Sequence, residues 1–191
     1  MVASVSTFTD FGGAVNAPGT KQDIDGAGPP KARFKNADDN TIDLNDPVPI
    51  PSAGTNFSRW KHFYFKVDVA GAPDTQIDNV KIYTDGTGFG TGITVRIGDG
   101  VQANTNAADA GYDVSDVVNE DMTNHDTVTT KTDFFTFTVG APRSIGISEA
   151  GAIIDADNEE CDYAVLQMEL LNTASPGDLA NETITHEYDE I

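Results

Sequence analysis

Cysteine and basic residues are both scarce in this chain, and each scarcity excludes a class of protein. A single cysteine, Cys161, excludes an intramolecular disulfide, and its place beside a hydrophobic segment predicts a small buried residue. Eleven Lys and Arg stand against 31 Asp and Glu, for a formal net charge of -20. A nucleic-acid surface needs clustered cations, whereas the only local group here is Lys31, Arg33 and Lys35. We therefore expect no nucleic-acid partner.

Long apolar runs are absent as well. No run approaches the roughly 18 residues that a membrane-spanning helix needs, and anionic membranes would repel so acidic a chain. The first residues, MVASVSTFTDFGG, lack the basic and apolar regions of a secretory signal. We therefore expect no membrane association and synthesis in the cytoplasm, unless processing has removed a leader.

No set of residues has the spacing of a catalytic or zinc site. His62, His125 and His186 lie far apart, without HxH or HExxH spacing, so ordinary surface or edge positions are expected for His62 and His186. The sequence has no GxSxG nucleophile elbow. The glycines of 87–92 are followed by no Lys, and so predict a hairpin loop rather than a phosphate site. The chain is therefore predicted not to be an enzyme.

Alternation of apolar and polar residues is the pattern that the chain does have. In 60–70, every second residue from Phe63 to Val69 is apolar, while Trp60, His62 and Tyr64 fall on the opposite face, which predicts a half-buried strand. Further strands are predicted at 2–9, 78–84, 93–97, 127–139, 143–148, 163–171 and 182–188, with a candidate hairpin at 32–44. With turn residues between them and no helical periodicity, they predict an all-β fold, an immunoglobulin-like or jelly-roll antiparallel β-sandwich.

The first 30 residues are predicted to be separate from this sandwich. Residues 2–9 alternate as a strand does, whereas 11–30 are rich in Gly, Pro, Asp and Ala. That composition predicts an extended N-terminal arm. The predicted organisation is thus a strand and arm over residues 1–30 and a β-sandwich domain over 31–191. The arm is either free or reaches a neighbouring subunit.

The acidic turn at 155–160 is a candidate metal site. Asp155, Asp157 and Glu159 occupy alternate positions, and carboxylate oxygens converging on one point suit Ca²⁺. The turn lacks the sixth-position Gly and the distal Glu of an EF-hand. The alternative is a solvated turn on an acidic protein, with no cofactor.

Trp60 and Tyr64 are candidate interaction residues because they share one face of a strand. If exposed, they would stack on a sugar or pack against another chain. If buried, they would form a second core face on a strand that is covered on both sides.

Two stretches resemble structural proteins of tailed viruses of bacteria and archaea. The first is the strand-loop-strand unit NVKIYTDGTGFGTGITVRIG. The second, CDYAVLQMELLNTASPGDLANETITHEYDE, is similar to the last hairpin of those proteins. There a Tyr opens a strand, a Ser-Pro-Gly turn reverses the chain, and a Thr-rich strand ends in Tyr-Asp-Glu. Tyr163 is placed as in a tyrosine corner.

The resemblance implies a non-enzymatic virion protein, namely a capsid decoration or other head-exterior protein located in the virion. The implied partners are the major capsid protein or other virion proteins, with a homo-oligomer, expected to be a trimer. The abundance of Asp and scarcity of Lys suit high salt and a halophilic host. Two alternatives remain: a carbohydrate-binding or host-attachment module using Trp60 and Tyr64, and a hydrolase with paired acids.

Overall fold

The architecture is all-β. A computed structural model describes residues 2–25, 32–41, 43–71, 75–99, 109–177 and 179–191. In these ranges the only helical segments are three short 3-10 turns, at Met122–Asn124, Phe134–Thr136 and Ala150–Ala152. None of the helices in the described ranges is long and apolar enough to cross a bilayer. The strands are β1 (Ser4–Ala14), β2 (Ala17–Asp23), β3 (Thr55–Phe57), β4 (Lys61–Val69), β5 (Ile77–Tyr83), β6 (Ile93–Gly98), β7 (Lys131–Asp133), β8 (Arg143–Ser144), β9 (Ala164–Leu171) and β10 (Thr185–Glu190).

These strands form two antiparallel sheets, consistent with a β-sandwich. The large sheet has seven strands, in the order β2-β1-β4-β9-β6-β7, and β3 pairs with the far end of β9. The small sheet has three strands, in the order β10-β5-β8. The predicted all-β class is therefore confirmed, and the sheets differ greatly in width.

The alternation in β4 determines which side chains lie between the sheets. Phe63, Phe65 and Val67 are each 1% exposed. Phe65 and Val67 pack in one apolar cluster with Val80 of β5, and Phe63 packs in another with Ile82 of the same strand. Burial of these residues provides the main apolar contact between the two sheets.

The opposite face of the large sheet is also covered. Residues 109–128, which we call the strap, lie against β4, because Tyr112 and Met122 of the strap are fully buried in the same cluster as Trp60 and Tyr64. Gln167 of β9 anchors the strap, since its side chain accepts a hydrogen bond from the Met122 amide (2.8 Å). The molecule therefore has three layers: small sheet, large sheet and strap.

The predicted extended arm is not found in residues 2–25, which form the β1–β2 hairpin. β1 lies between β2 and β4, and pairs with β4 along most of its length. Gly13 has φ of +92°, and a Cβ there would lie 2.3 Å from the Ala17 carbonyl oxygen. Glycine is thus required for tight closure of the hairpin, while Pro18 is tolerated because β2 is an edge strand. The rest of the predicted arm, 26–30, lies outside the described residues.

Two other sequence predictions are corrected. The predicted strand at 127–139 is short, because the Asp133 side chain accepts from the Phe135 amide and caps a 3-10 turn. Similarly, residues 32–41 and 43–44 form no strand, and the predicted hairpin there is absent from the described residues. In both places short polar side chains bond to neighbouring backbone amides in competition with a sheet ladder.

Candidate functional site

The strap and the large sheet enclose a cluster of polar and aromatic side chains. The register of β1 against β4 places Asp10 opposite His62 and Phe8 opposite Tyr64, all on the face that the strap covers. Tyr163 joins them from the position directly before β9. Every ionisable member is at most 3% exposed. The ionisable members are Asp10, His62, Tyr64, Tyr112, His125, Glu160 and Tyr163.

Asp10 is the acceptor at the centre of this cluster. Its Oδ1 accepts a hydrogen bond from the Tyr64 hydroxyl (3.0 Å), and its Oδ2 accepts one from the Tyr163 hydroxyl (2.5 Å). Burial raises the pKa of Asp10 to about 6, and the hydrogen bond from Tyr163 is the largest effect opposing that rise. The carboxylate thus joins β1 to both β4 and the start of β9.

A second group surrounds Lys21 of β2. Its Nζ lies 2.5 Å from Asp109 Oδ1 on the strap and 3.6 Å from Glu160 Oε2. Burial raises the pKa of Glu160 to about 7, against the attraction of Lys21. One ammonium group therefore lies between two acidic side chains from distant parts of the chain, and its ion pair with Asp109 ties the edge of the large sheet to the strap.

The structure brings His62 and His125 together although they are 63 residues apart, with 3.0 Å between their Nε2 atoms. The Thr127 amide donates to Nδ1 of His125 (3.2 Å), so His125 carries its proton on Nε2 and donates it to His62. His62 Nε2 also accepts from the Asp113 amide (3.4 Å). Burial lowers the pKa of His125 to about 4 and that of His62 well below its ordinary value. Both rings are therefore neutral, and they lock the strap to β4.

This arrangement holds protons but presents no reactive group to solvent. The rings and carboxylates are buried, and the hydrogen bonds described above hold Asp10, His62 and His125 in place. A buried polar network whose members are bonded fixes one packing arrangement and makes it rigid. The chemistry of the cluster is therefore that of a structural clamp between β1, β4, the start of β9 and the strap.

Trp60 and Tyr64 do not form an interaction surface. Trp60 is 3% exposed and Tyr64 is fully buried. The Trp60 ring packs against that of His125 with 5.0 Å between centroids, and the Tyr64 ring stacks on that of Phe8 at 5.7 Å. They form a second core face, which was the alternative interpretation of the sequence. They are buried because the strap covers this side of β4.

The acidic turn does not gather its carboxylates into a metal site. Glu159 Oε2 accepts from the amides of Asp155 (2.7 Å) and Ala156 (2.9 Å), while Asp157 Oδ1 accepts from the Ala70 amide (2.6 Å). Within the described ranges, no group of three His, Cys, Asp or Glu side chains is placed to hold a metal ion. Of the predicted Ca²⁺ ligands, Asp157 and Glu159 thus direct their carboxylates at backbone amides, and Asp155 takes part through its own amide, which donates to Glu159.

Three single residues differ in how well the sequence located them. Cys161 is fully buried as predicted, its sulfur accepts from the Phe65 amide (3.2 Å), and burial raises the pKa of the thiol. His62 was expected at a surface or edge position, and this is wrong because the strap buries it. His186 does lie on the edge strand β10.

The Asp10 and His125 contacts were missed because no local pattern marks them. Asp10 stands between the predicted strand at 2–9 and the predicted arm at 11–30, and His125 stands in a polar loop. The available signal was indirect: on the polar face of β4, only Lys66 and Asp68 further along are charged, whereas His62 and Tyr64 are histidine or aromatic. Such residues indicate a strand that is covered on both faces.

Comparisons with known proteins add no relative from which a function can be transferred. No protein-family model, no curated protein and no solved structure matches this chain. The functional proposal therefore rests on the residues of this chain and on the geometry described above.

Proposed function

We propose that this protein is a non-enzymatic structural component of a virion, on the head exterior of a tailed virus. The supporting observation is the way in which the chain uses its cations. Ten of the eleven basic residues lie in the described ranges, and each contacts the protein itself. Six form ion pairs with carboxylates, namely Lys21, Lys35, Lys81, Arg96, Lys131 and Arg143. Arg33, Arg59 and Lys61 donate to backbone carbonyls, and Lys66 lies over the Phe8 ring.

This use of the cations leaves an acidic outer surface. Lys35 and Lys61 are buried, while acidic residues such as Asp116, Asp155 and Glu190 are exposed. A surface of one sign stays hydrated and keeps particles apart, and its self-repulsion is screened at high salt. This suits the outside of a particle from a halophilic host, and it does not favour contact with nucleic acid inside the particle.

The buried cluster fits the same proposal. A protein that binds by symmetry-related weak contacts needs a rigid shape rather than a reactive pocket. Asp10, the His62–His125 pair and Lys21 hold β1, β4 and the strap in one arrangement. We propose an immunoglobulin-like or jelly-roll sandwich that binds the major capsid protein as a homo-oligomer, with a trimer as the expected state.

The aromatic platform that motivated the carbohydrate-binding alternative is buried. Trp60 and Tyr64 cannot stack on a sugar while the strap covers them. No other observation in the described residues favours glycan binding, so the structural function is the better supported proposal.

Density-gradient sedimentation of the source culture, with mass spectrometry of each fraction, tests the proposal. We expect co-migration with large particles beside a more abundant shell protein, at a fixed copy ratio that identifies an exterior decoration. Washing the particles in low salt should release this protein before the shell protein if it is peripheral. Recovery only in soluble fractions would overturn the proposal.

A further inference from the structure

A large cavity lies on the face of the large sheet opposite the strap. The small sheet is too narrow to cover the ends of β6 and β9, and irregular chain covers them instead. Phe34, Val48 and Ile50 from this chain pack with Met168 and Leu170 in a separate apolar cluster. The cover leaves a cavity of about 700 Å³, within the roughly 300–1,000 Å³ of pockets that hold small molecules.

The floor of this cavity is built by paired strands. Ile93 stands opposite Leu170 and Val95 opposite Met168 in the β6–β9 register, and all four line the cavity. Phe63 of β4 extends the floor toward the centre of the sheet. Because backbone hydrogen bonds hold these strands, the floor cannot move inward to fill the space without breaking the sheet. The floor of the site is thus preformed and apolar.

The walls and mouth come from irregular chain on two sides. Leu44, which precedes β3, lines the cavity and is 77% exposed, and Leu179, between β9 and β10, lines it and is 37% exposed. Exposed leucines at the mouth of a cavity provide apolar surface for a ligand that enters between them.

The charges at the cavity restrict the ligand. Lys35 Nζ is paired with Asp39 and Asp43 at 3.1 Å each, and Arg33 donates to the Asp43 carbonyl. Of the two cations among the described lining residues, Lys35 is thus paired with carboxylates, and Arg33 donates to a backbone carbonyl. The acidic residues among the described lining residues are Asp25, Asp43 and Glu182. An anionic head group would find only Arg33 among the described lining cations without a carboxylate partner, and it would meet three lining carboxylates and the acidic field of the protein.

We propose that this cavity is a binding site for an apolar small molecule with a neutral or cationic head group. A long-chain alcohol or alkylammonium ion has this chemistry, whereas the carboxylate of the same chain length does not. The apolar part lies on the β6–β9 floor, and the head group lies at the mouth between Leu44 and Leu179. This site is independent of the proposed virion function.

Titration with Nile red, a neutral apolar dye, tests for the site. We expect saturable binding with one dye per chain, measured by dye fluorescence at the lowest NaCl concentration at which circular dichroism shows the fold intact. Decanol and decyltrimethylammonium, below their aggregation concentrations, should displace the dye. Decanoate should be weaker by about tenfold or more, which corresponds to roughly 1.4 kcal/mol. Equal displacement by decanoate would overturn the charge selectivity.

A cavity-filling variant locates the binding. Ile93→Trp places a larger ring over the floor and should weaken Nile red binding by roughly tenfold or more. Val139→Trp is the matched control, because Val139 is 71% exposed and does not line the cavity. Should Ile93→Trp fail to fold, Leu179→Trp fills the site from its mouth. Undiminished binding in a folded filling variant would overturn the proposal.

A second copy of this chain is the competing occupant. If copies fill one another's cavities, sedimentation velocity will show self-association that Leu44→Asp abolishes, and the monomer will bind no Nile red. That result would overturn the small-molecule site. One-to-one dye binding by a protein whose association state does not change supports it.

Discussion

The two faces of the large sheet bury their side chains in different ways. On the strap face, Asp10, His62 and Tyr163 are almost completely buried and are joined by hydrogen bonds that cross between distant elements. On the opposite face, at the β6–β9 end, the side chains are apolar and the cover leaves about 700 Å³ of space. One face is fixed by directional bonds, and the other is apolar and incompletely filled.

The difference shows how one sheet supports both rigidity and binding capacity. Hydrogen bonds to buried polar groups are lost if a cover moves, so the strap has one favourable position. Apolar contacts have no preferred direction, so the other cover tolerates a gap and a ligand. The predictions below test this contrast in order of decreasing effect.

Deletion of residues 2–25 is expected to abolish folding. It removes the partner strand of β4 and the Asp10 acceptor of the Tyr64 and Tyr163 hydroxyls, a loss that exceeds a typical unfolding free energy of about 5–15 kcal/mol. Far-UV and near-UV circular dichroism should show an unfolded chain. Replacing the Val15–Asn16 turn by Asn-Gly is the control and should preserve the fold. A truncated chain that unfolds cooperatively would show that the hairpin is dispensable.

Tyr163→Phe should lower the free energy of unfolding by about 2 kcal/mol at pH 8, because a buried carboxylate loses one of its donors. The loss should shrink below pH 6, where Asp10 takes up a proton since its pKa is about 6. Urea unfolding at both pH values measures the effect. Tyr83→Phe on the small sheet is the control, expected to change stability by less than about 0.5 kcal/mol. An equal loss at pH 8 and pH 5 would contradict the assigned role of Asp10.

Glu160→Gln should stabilise the protein by about 2 kcal/mol at pH 8. Folded Glu160 keeps its proton until about pH 7, whereas in the unfolded chain it loses it near 4.5. Folding therefore takes up a proton between these values, and the free energy of unfolding falls as pH rises through this window. The gain should disappear toward pH 4.5 in thermal or urea unfolding. A gain of equal size at pH 4.5 and pH 8 would contradict this role of Glu160.

His125→Gln should cost about 1 kcal/mol at pH 8 through lost hydrogen bonds. The folded ring resists protonation until about pH 4, whereas the unfolded one takes up a proton near 6.5. The free energy of unfolding therefore falls as the pH falls between these values. In His125→Gln it should fall less, because the variant has no ring at this position to take up a proton. Urea unfolding at pH 8 and pH 5 measures the loss of unfolding free energy at each pH, and hydrogen exchange of the strap amides shows where in the structure the loss occurs.

His186→Gln is the matched control for that experiment. Burial also lowers the pKa of His186 to about 4, but His186 lies on β10, away from the strap. The His186→Gln variant should alter the pH dependence of stability without increasing amide hydrogen exchange in residues 109–128. Equal exchange changes in the two variants would contradict the clamp.

Ile93→Val is expected to have the smallest effect, at the low end of the roughly 0.5–1.5 kcal/mol usual for this change. Its side chain borders the cavity and therefore has fewer partner atoms to lose. Ile77→Val is the matched comparison, since Ile77 is 1% exposed and packs in the cluster between the sheets. Urea unfolding should show a larger cost at Ile77, and the reverse order would mean that the cavity is filled in solution.

The fold class and the central strands follow from the sequence, whereas the clamp does not. Alternation over 60–70 predicted β4 because a half-buried strand imposes period two locally. The hairpin was missed because Gly12, Gly13 and Pro18 are loop signals wherever they occur, and only the pairing partner shows that they close an edge. The His62–His125 contact depends on the position of the strap, which no spacing in the sequence encodes. The cavity was missed for a similar reason. It lies where the small sheet ends and irregular chain covers the large sheet instead, and the positions of these segments are not encoded in any local pattern.

The contact between Asp10 and Tyr163 joins residues that are 153 positions apart, and the Ala3 amide reaches Glu190 across 187. β1 therefore lacks the Tyr163 partner of Asp10 until the chain has been synthesised through residue 163. Folds with such distant pairing form slowly, because chain ends must meet before the contacts stabilise them. Chains whose translation stops before Tyr163 will lack this part of the clamp, so we expect them to remain open to proteolysis.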